Sequence, residues 1–239
     1  MRLIFVRHGE PDYDNDCLTE NGHIQAERTA VRLHDEPIKE IYSSPMGRAR
    51  QTAGYTAKDH GLEIKILDHM QEIDWGTADP DKTPGVKYDG HPWTLAYEMM
   101  TDEPDIATGN EWSGHPYFSE NICMSHYRLI AEKTDEFLKA YGIERHGKTY
   151  LCTKACDDTI ALFAHGGSGA CMISHIFNMP FPLVLSVFPY NVCSVSVIAF
   201  EGEEGRNLVP RFELFNDVGH IESIKPEKLK FGNSLHRGK

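Results

Sequence analysis

Six short apolar runs, spaced along the whole chain, restrict the fold more than any other feature. They cover residues 3–6, 38–42, 63–67, 159–164, 194–200 and 211–215. Their lengths suit strands, and several are apolar on both faces, as in a parallel sheet covered on each side. Helical patterns lie between them. Thr19 is positioned to cap a helix running through Leu33, with Ile24, Ala26, Ala30, Val31 and Leu33 as its apolar residues. Further helices are predicted over 49–60, over 122–141 with Gly142 closing the end, and over 169–178, stopped by Pro180. Strands alternating with helices predict an α/β fold with a mostly parallel sheet.

One stretch breaks this rhythm. Residues 79–120 are proline-rich, lack clean periodicity, and carry Trp93, Tyr97, Trp112, Tyr117 and Phe118. Inside a compact domain such an insertion is either a lid over a binding site or a small helical unit packing its own aromatics. The sequence leaves both readings open. At 239 residues the chain has the length of one large domain, taken as 1–239 with the 79–120 insertion, or at most two small ones.

Charge and cysteine usage narrow the function. A formal net charge of -12 argues against nucleic-acid or anionic-membrane surfaces, which need basic patches. It leaves a small anionic substrate open, since one pocket can be basic on an acidic protein. No apolar run approaches the roughly 20 residues of a membrane span. Residues 2–6 already read as a strand, so no secretory leader is expected, and a cytoplasmic location follows as the expectation. Cysteines 17, 123, 152, 156, 171 and 193 form no C-x-x-C pair. Free thiols are therefore expected, with neither metal nor other cofactor. Nothing in the sequence signals an oligomeric state.

Polar residues gather at or near the C-terminal ends of predicted strands, the edge where open α/β sheets bind ligands. Arg7 and His8 end the first strand. Ser43-Ser44-Pro45-Met46-Gly47-Arg48 follows the second, Glu72 lies beyond the third, and His165 leads from the fourth into Gly166-Gly167-Ser168-Gly169. Two guanidiniums offer forks of donors that match phosphoryl oxygens. A neutral histidine can attack phosphorus, and a protonated glutamate can supply the leaving oxygen with a proton. Glycines would let backbone N–H groups approach the anion at a helix N-terminus. The set suits phosphoryl transfer.

Taken in order, Arg7-His8-Gly9-Glu10, Leu18-Thr19-Glu20-Asn21-Gly22 with Gln25-Ala26, Ser43-Ser44-Pro45 with Arg48-Ala49 and Gln51-Thr52-Ala53, Glu72 with Trp75-Gly76, and Ala164-His165-Gly166-Gly167 resemble the histidine phosphatase superfamily. The resemblance implies the phosphoglycerate-mutase-like fold, a three-layer sandwich with a mostly parallel central sheet flanked by helices. It implies that His8 becomes a phosphohistidine and that Arg7, Arg48 and His165 surround the phosphoryl oxygens. Glu72 would be the acid, favoured over Glu63, Asp68 and Asp74 because the Glu-x-x-x-Gly match falls on it. No metal is required in that family.

Two departures stand out. Pro11 takes the place of a common Ser or Thr, and Asp14 that of the usual Asn, leaving neighbouring Asn15 as the candidate phosphate-contacting amide beside Gly166. The longer first loop and the Asn-Glu-Arg acid segment of phosphoglycerate mutases are absent. The expected function is a metal-independent phosphomonoester hydrolase acting on a small phosphorylated metabolite. The alternatives are a phosphoglycerate mutase and a non-catalytic phospho-ligand binder. Gly166-Gly167-Ser168-Gly169-Ala170 also nearly forms a serine-hydrolase elbow, but Ala170 stands where its last glycine belongs.

Overall fold

The computed structural model describes residues 1–77 and 87–224. Strand β1 (Arg2–Arg7) leads through a small hairpin, β2 (Pro11–Asp12) and β3 (Cys17–Leu18), into helix α1 (Glu20–Leu33). Then come β4 (Ile38–Ser43), α2 (Gly47–His60) and β5 (Ile64–Ile66). Short helices α3 (Pro92–Asp102), α4 (Pro104–Thr108) and α5 (Pro116–Ser119) precede the long α6 (Cys123–Ala140). The chain continues through β6 (Ile143–His146), β7 (Thr149–Cys152), β8 (Thr159–Ala164), α7 (Gly166–Phe177) and α8 (Phe181–Val187). It closes with β9 (Val195–Ala199), β10 (Asn207–Leu208) and β11 (Arg211–Asp217).

The central sheet has the order β11-β9-β1-β8-β4-β5. Strands β1, β8, β4 and β5 pair parallel, while β9 and β11 add antiparallel at one side. Because side chains alternate across a strand, β1 feeds two separate cores. Leu3 and Phe5 join Ile160, Leu162, Ile173 and Phe181 on one face. Ile4 and Val6 join Leu33, Ala53, Ala161 and Phe163 on the other. The result is a mainly parallel sheet between two helical layers.

Local chemistry sets the helix ends. The Thr19 hydroxyl accepts the Gly22 N–H, as the sequence pattern predicts for α1. The buried stripe of α1 differs from the expected one, however. Ile24 and Val31 face solvent, and Gly22, Gln25 and Thr29 fill the interior beside Ala26, Ala30 and Leu33. Helix α7 starts at Gly166 rather than 169, and it ends on left-handed Asn178 before Pro180 is reached. The β6–β7 hairpin and α8 escaped the sequence patterns. Ile-Glu-Arg-His is too short and too charged to show strand alternation.

Of the proline-rich segment, residues 78–86 lie outside the described residues. Trp112 and Phe118 are buried edge to face at 5.6 Å and belong to the main core, where Tyr127 and Phe181 flank them. Trp93 and His91 instead meet Trp75 from the loop after β5. All six cysteines are free. Among the described residues, no helix is long and apolar enough to cross a membrane.

Candidate active site

Parallel pairing of β1 with β8 puts Arg7 opposite Ala164. The next residue on each strand therefore leaves the sheet at the same edge, and these residues are His8 and His165. Their rings lie 5.0 Å apart, tilted by 57°. Both are fully buried. Strand β4, on the far side of β8, delivers Ser44, whose N–H donates to Phe163 O (2.9 Å). Arg48 follows in the first turn of α2 and is also buried.

The hydrogen bonds fix how each histidine presents its nitrogens. His8 Nδ1 lies 2.7 Å from the Gly9 carbonyl, which only accepts, so Nδ1 carries the proton. Burial, reinforced by Arg7, His165 and Arg48, holds the His8 pKa well below the ordinary histidine value. The ring is thus neutral, with its lone pair on Nε2. His165 is held neutral in the same way: burial, then Arg48 and Arg7, lower its pKa to about 2. Its Nε2 lies 2.8 Å from Ser44 Oγ, while Met46 N–H donates to that same oxygen (3.2 Å). The serine proton is free to point at His165 Nε2, leaving Nδ1–H as a donor into the pocket. Ser44 belongs to the Ser43-Ser44-Pro45 motif, and its role as the hydroxyl that orients His165 depends on β4 and β8 lying side by side.

Four of these nitrogens are buried and without a partner: Arg7 Nε, His8 Nε2, Arg48 Nε and His165 Nδ1. Buried polar atoms are nearly always paired, so four of them free on neighbouring side chains suit a polar ligand. Three are donors and one is a lone pair. That combination fits a tetrahedral anion attacked by His8. Arg7 is held from behind by a hydrogen bond from Nη1 to the Tyr190 carbonyl.

Glu72 closes the site from the loop after β5. Its Oε1 accepts from the N–H groups of Gly167 (2.9 Å), Ser168 (3.3 Å) and Ile73 (3.1 Å). Burial pushes its pKa up and outweighs the opposing pull of Arg7, the backbone donors and Arg48. The first N–H groups of α7 therefore hold the carboxyl group, not the anion that the glycine run suggests. Gly167 is what lets them do so, since a Cβ there would stand 2.5 Å from Glu72 Oε1 and from Ile73 Cγ1. Gly166 instead lies against the Arg7 guanidinium, with 3.7 Å between an added Cβ and Cζ. Of the other nearby carboxylates, Glu63 and Asp68 are exposed, and exposed Asp74 lies 3.5 Å from His126.

Asn15 is exposed, and its amide nitrogen donates to Asp12 Oδ2 (2.8 Å) rather than reaching the histidines. The residue of this loop that touches the site is Asp16. One oxygen pairs with Arg48 Nη1 and the other accepts the Gly47 N–H, both at 2.6 Å. Ser168 has no adjacent base: its hydroxyl donates to Met70 O (3.2 Å), while His220 Nε2 lies 3.1 Å from Thr29 Oγ1. That removes the serine-hydrolase geometry. Among the described residues, no group of three or more His, Cys, Asp or Glu is placed to hold a metal ion.

This architecture is that of phosphoglycerate-mutase-like proteins. A phosphoserine phosphatase structure from Entamoeba histolytica, in complex with 3-phosphoglyceric acid, superposes with a TM-score of 0.61 at 22% identity, covering 92% of this chain and 98% of that one. The family model of the histidine phosphatase superfamily (branch 1) matches residues 3–115. Over that span, just under half of its length, the chain is similar to the histidine phosphatase superfamily. A 2,3-bisphosphoglycerate-dependent phosphoglycerate mutase of Thermoplasma acidophilum is 37% identical over 102 residues, 37% of this chain and 50% of that protein. Phosphoserine phosphatase 1 of Hydrogenobacter thermophilus is 35% identical over 85 residues, 32% of this chain and 40% of that protein. The chain spans about half the length of the curated relatives it matches.

Proposed function

We propose that the protein is a phosphomonoesterase working through a phosphohistidine on His8. The observation that carries this reading is the set of four unpartnered buried nitrogens, one nucleophilic lone pair among three donors. His8 Nε2 attacks phosphorus, and the bond from phosphorus to the ester oxygen breaks. That oxygen takes the proton from Glu72, whose Oε1 is occupied by backbone donors, so the proton is assigned to Oε2. Arg7, Arg48 and His165 Nδ1–H stabilise the charge spread over the transferring oxygens. Water then attacks phosphorus, the N–P bond breaks, and Glu72 carboxylate takes the water proton. Atoms and charge balance without any further reactant.

A phosphoglycerate mutase is the second reading, supported by the identity to the Thermoplasma protein. Against it, Met70-Gln71-Glu72-Ile73 stands where the mutases carry Asn-Glu-Arg around the acid. A rapid-quench reaction with an aryl phosphate tests the proposal. Phosphate bound to protein should accumulate within one turnover and be stable to base but lost in acid. It should then discharge to water as inorganic phosphate. Failure to form the adduct overturns the proposal, and discharge only to a phosphoglycerate acceptor supports the mutase.

Gly167→Ala offers a second check, because it tests the hold on Glu72 without altering a reacting group. The added Cβ displaces the carboxyl group, and misplacements of this order cost about 10²-fold in rate. The expected result is that loss in kcat/KM for an alkyl phosphate, with the far-ultraviolet circular dichroism spectrum unchanged.

A further inference from the structure

Helix α2 begins at Gly47 after Met46, whose side chain provides no cap. A carboxylate from thirty-one positions earlier supplies it. Asp16 bridges the Gly47 N–H and Arg48 Nη1, while Arg48 Nε remains buried and unpartnered. Two features show that the contact is built in. Asp16 has a left-handed backbone (φ 47°), unusual outside glycine. Gly47 has no room for a side chain, because a Cβ would lie 2.1 Å from Asp16 O. The Asp16 side chain keeps 42% of its surface exposed, against 5% for Arg48. A partly exposed carboxylate therefore stands beside one of the two guanidiniums of the anion site.

Beyond Arg48 and the Gly47 N–H, which Asp16 already engages, the surroundings add further negative charge. Asp12 and Asp14 lie in the same hairpin turn, and exposed Asp74 follows Glu72. The loops that carry the site are residues 9–19, 43–47, 72–77, 166–170 and 188–194, and they contain neither lysine nor arginine. Arg7 and Arg48 themselves are taken up by the phosphoryl oxygens. Among the described residues of these loops, a carboxylate on the leaving group thus meets like charge and no lysine or arginine to pair it.

We propose that Asp16 is a specificity-determining residue that directs the site toward phosphomonoesters with uncharged or cationic leaving groups and against those bearing a carboxylate beside the ester. This rests on the phosphomonoesterase reading and sets the site apart from proteins that act on phosphoglycerate or phosphoserine. Asp16 pairs with Arg48, so its replacement lowers activity in general. The informative quantity is a ratio between substrates, from which that general loss divides out.

The test compares phosphoethanolamine with 3-phosphoglycerate, using 4-nitrophenyl phosphate as the uncharged reference. In the native protein kcat/KM for phosphoethanolamine should exceed that for 3-phosphoglycerate by about tenfold or more at low salt. The ratio should shrink as salt screens the charges. Asp16→Asn should reduce it by roughly fivefold and flatten its salt dependence. Asp14→Asn, whose side chain caps no helix, should move it the same way by about twofold, which keeps the idea testable if Asp16→Asn fails to fold. Dissociation constants of the two esters for the His8→Ala protein read the same preference without turnover. Binding with the expected preference but no hydrolysis by the native protein would sink the phosphomonoesterase reading and leave the charge selectivity standing. Equal or tighter binding of 3-phosphoglycerate, or a ratio indifferent to both substitutions, overturns the role of Asp16.

Discussion

Replacing His8 with alanine is expected to lower kcat for aryl phosphate hydrolysis by at least about 10³-fold, the scale seen when a covalent nucleophile is lost. The expectation follows from the shape of the site. His8 Nε2 is the lone pair among the four orphaned nitrogens, and the other three are donors. No neighbouring group can take over, because His165 shares its Nε2 with Ser44 and presents Nδ1–H to the pocket. Arg7, Arg48 and His165 would still bind the phosphoryl group, so affinity for inorganic phosphate should survive in the variant. Steady-state kinetics and phosphate titration check the two halves separately. Rates within tenfold of the native protein would remove His8 from the chemistry.

Glu72→Gln should produce an effect that depends on the leaving group. Loss of a general acid costs about 10²–10⁴-fold where the departing oxygen needs a proton, and little where it leaves as a stabilised phenolate. Alkyl phosphates should therefore suffer that loss, while 4-nitrophenyl phosphate should be hydrolysed within about tenfold of the native rate. The pH dependence follows from the direction of the shift. Burial raises the Glu72 pKa, so the protonated acid persists above the ordinary carboxylate range. Activity toward alkyl esters should fall as pH climbs through that raised value. The variant should lack this limb. Folding carries the same sign: between the ordinary and the raised value the native state binds more protons than the unfolded chain. The Glu72 contribution to stability therefore declines across that interval with rising pH, against the opposite slope from buried neutral His8 and His165. Glutamine has no proton to lose, and its carbonyl can keep the Gly167 N–H, so stability should rise more steeply with pH in Glu72→Gln than in the native protein. Equal losses for aryl and alkyl esters would place Glu72 outside the proton transfer.

Much of this is legible in the sequence. The six apolar runs correspond to the six strands of the central sheet, and those buried on both faces, β1, β8 and β9, leave the most unbroken signature. The polar residues at or just beyond their ends were found for the same reason: Arg7, His8 and His165 interrupt or terminate runs that have no other use for charge. The roles of Ser44 and Asp16 were hidden, since each depends on a neighbour far away in sequence. The glycine run after His165 reads in sequence as an anion cradle, whereas its N–H groups serve Glu72, 95 positions earlier for Gly167. Asn15 looked like the displaced amide of the first loop, but the tight turn aims it at Asp12. Ile24 and Val31 show the limit of hydrophobic pattern on α1, whose interior is lined in part by Gln25 and Thr29. Gln25 accepts the Glu10 N–H and Thr29 bonds to Gln25 O, so both polar side chains have partners inside.

The pairing of β1 with β8 makes the working centre an all-or-none property of the chain. Its two histidines are separated by most of the sequence and become neighbours only through one parallel register, Arg7 opposite Ala164. The last closure comes later still, when Cys193 N–H reaches the carbonyls of Arg7 and His8 and the adjoining Tyr190 carbonyl takes the guanidinium of Arg7. Pairings this distant are formed late and slowly in folding. A nascent chain therefore has no rudimentary site to refine, and activity that appears on refolding should report completion of the sheet rather than its progress.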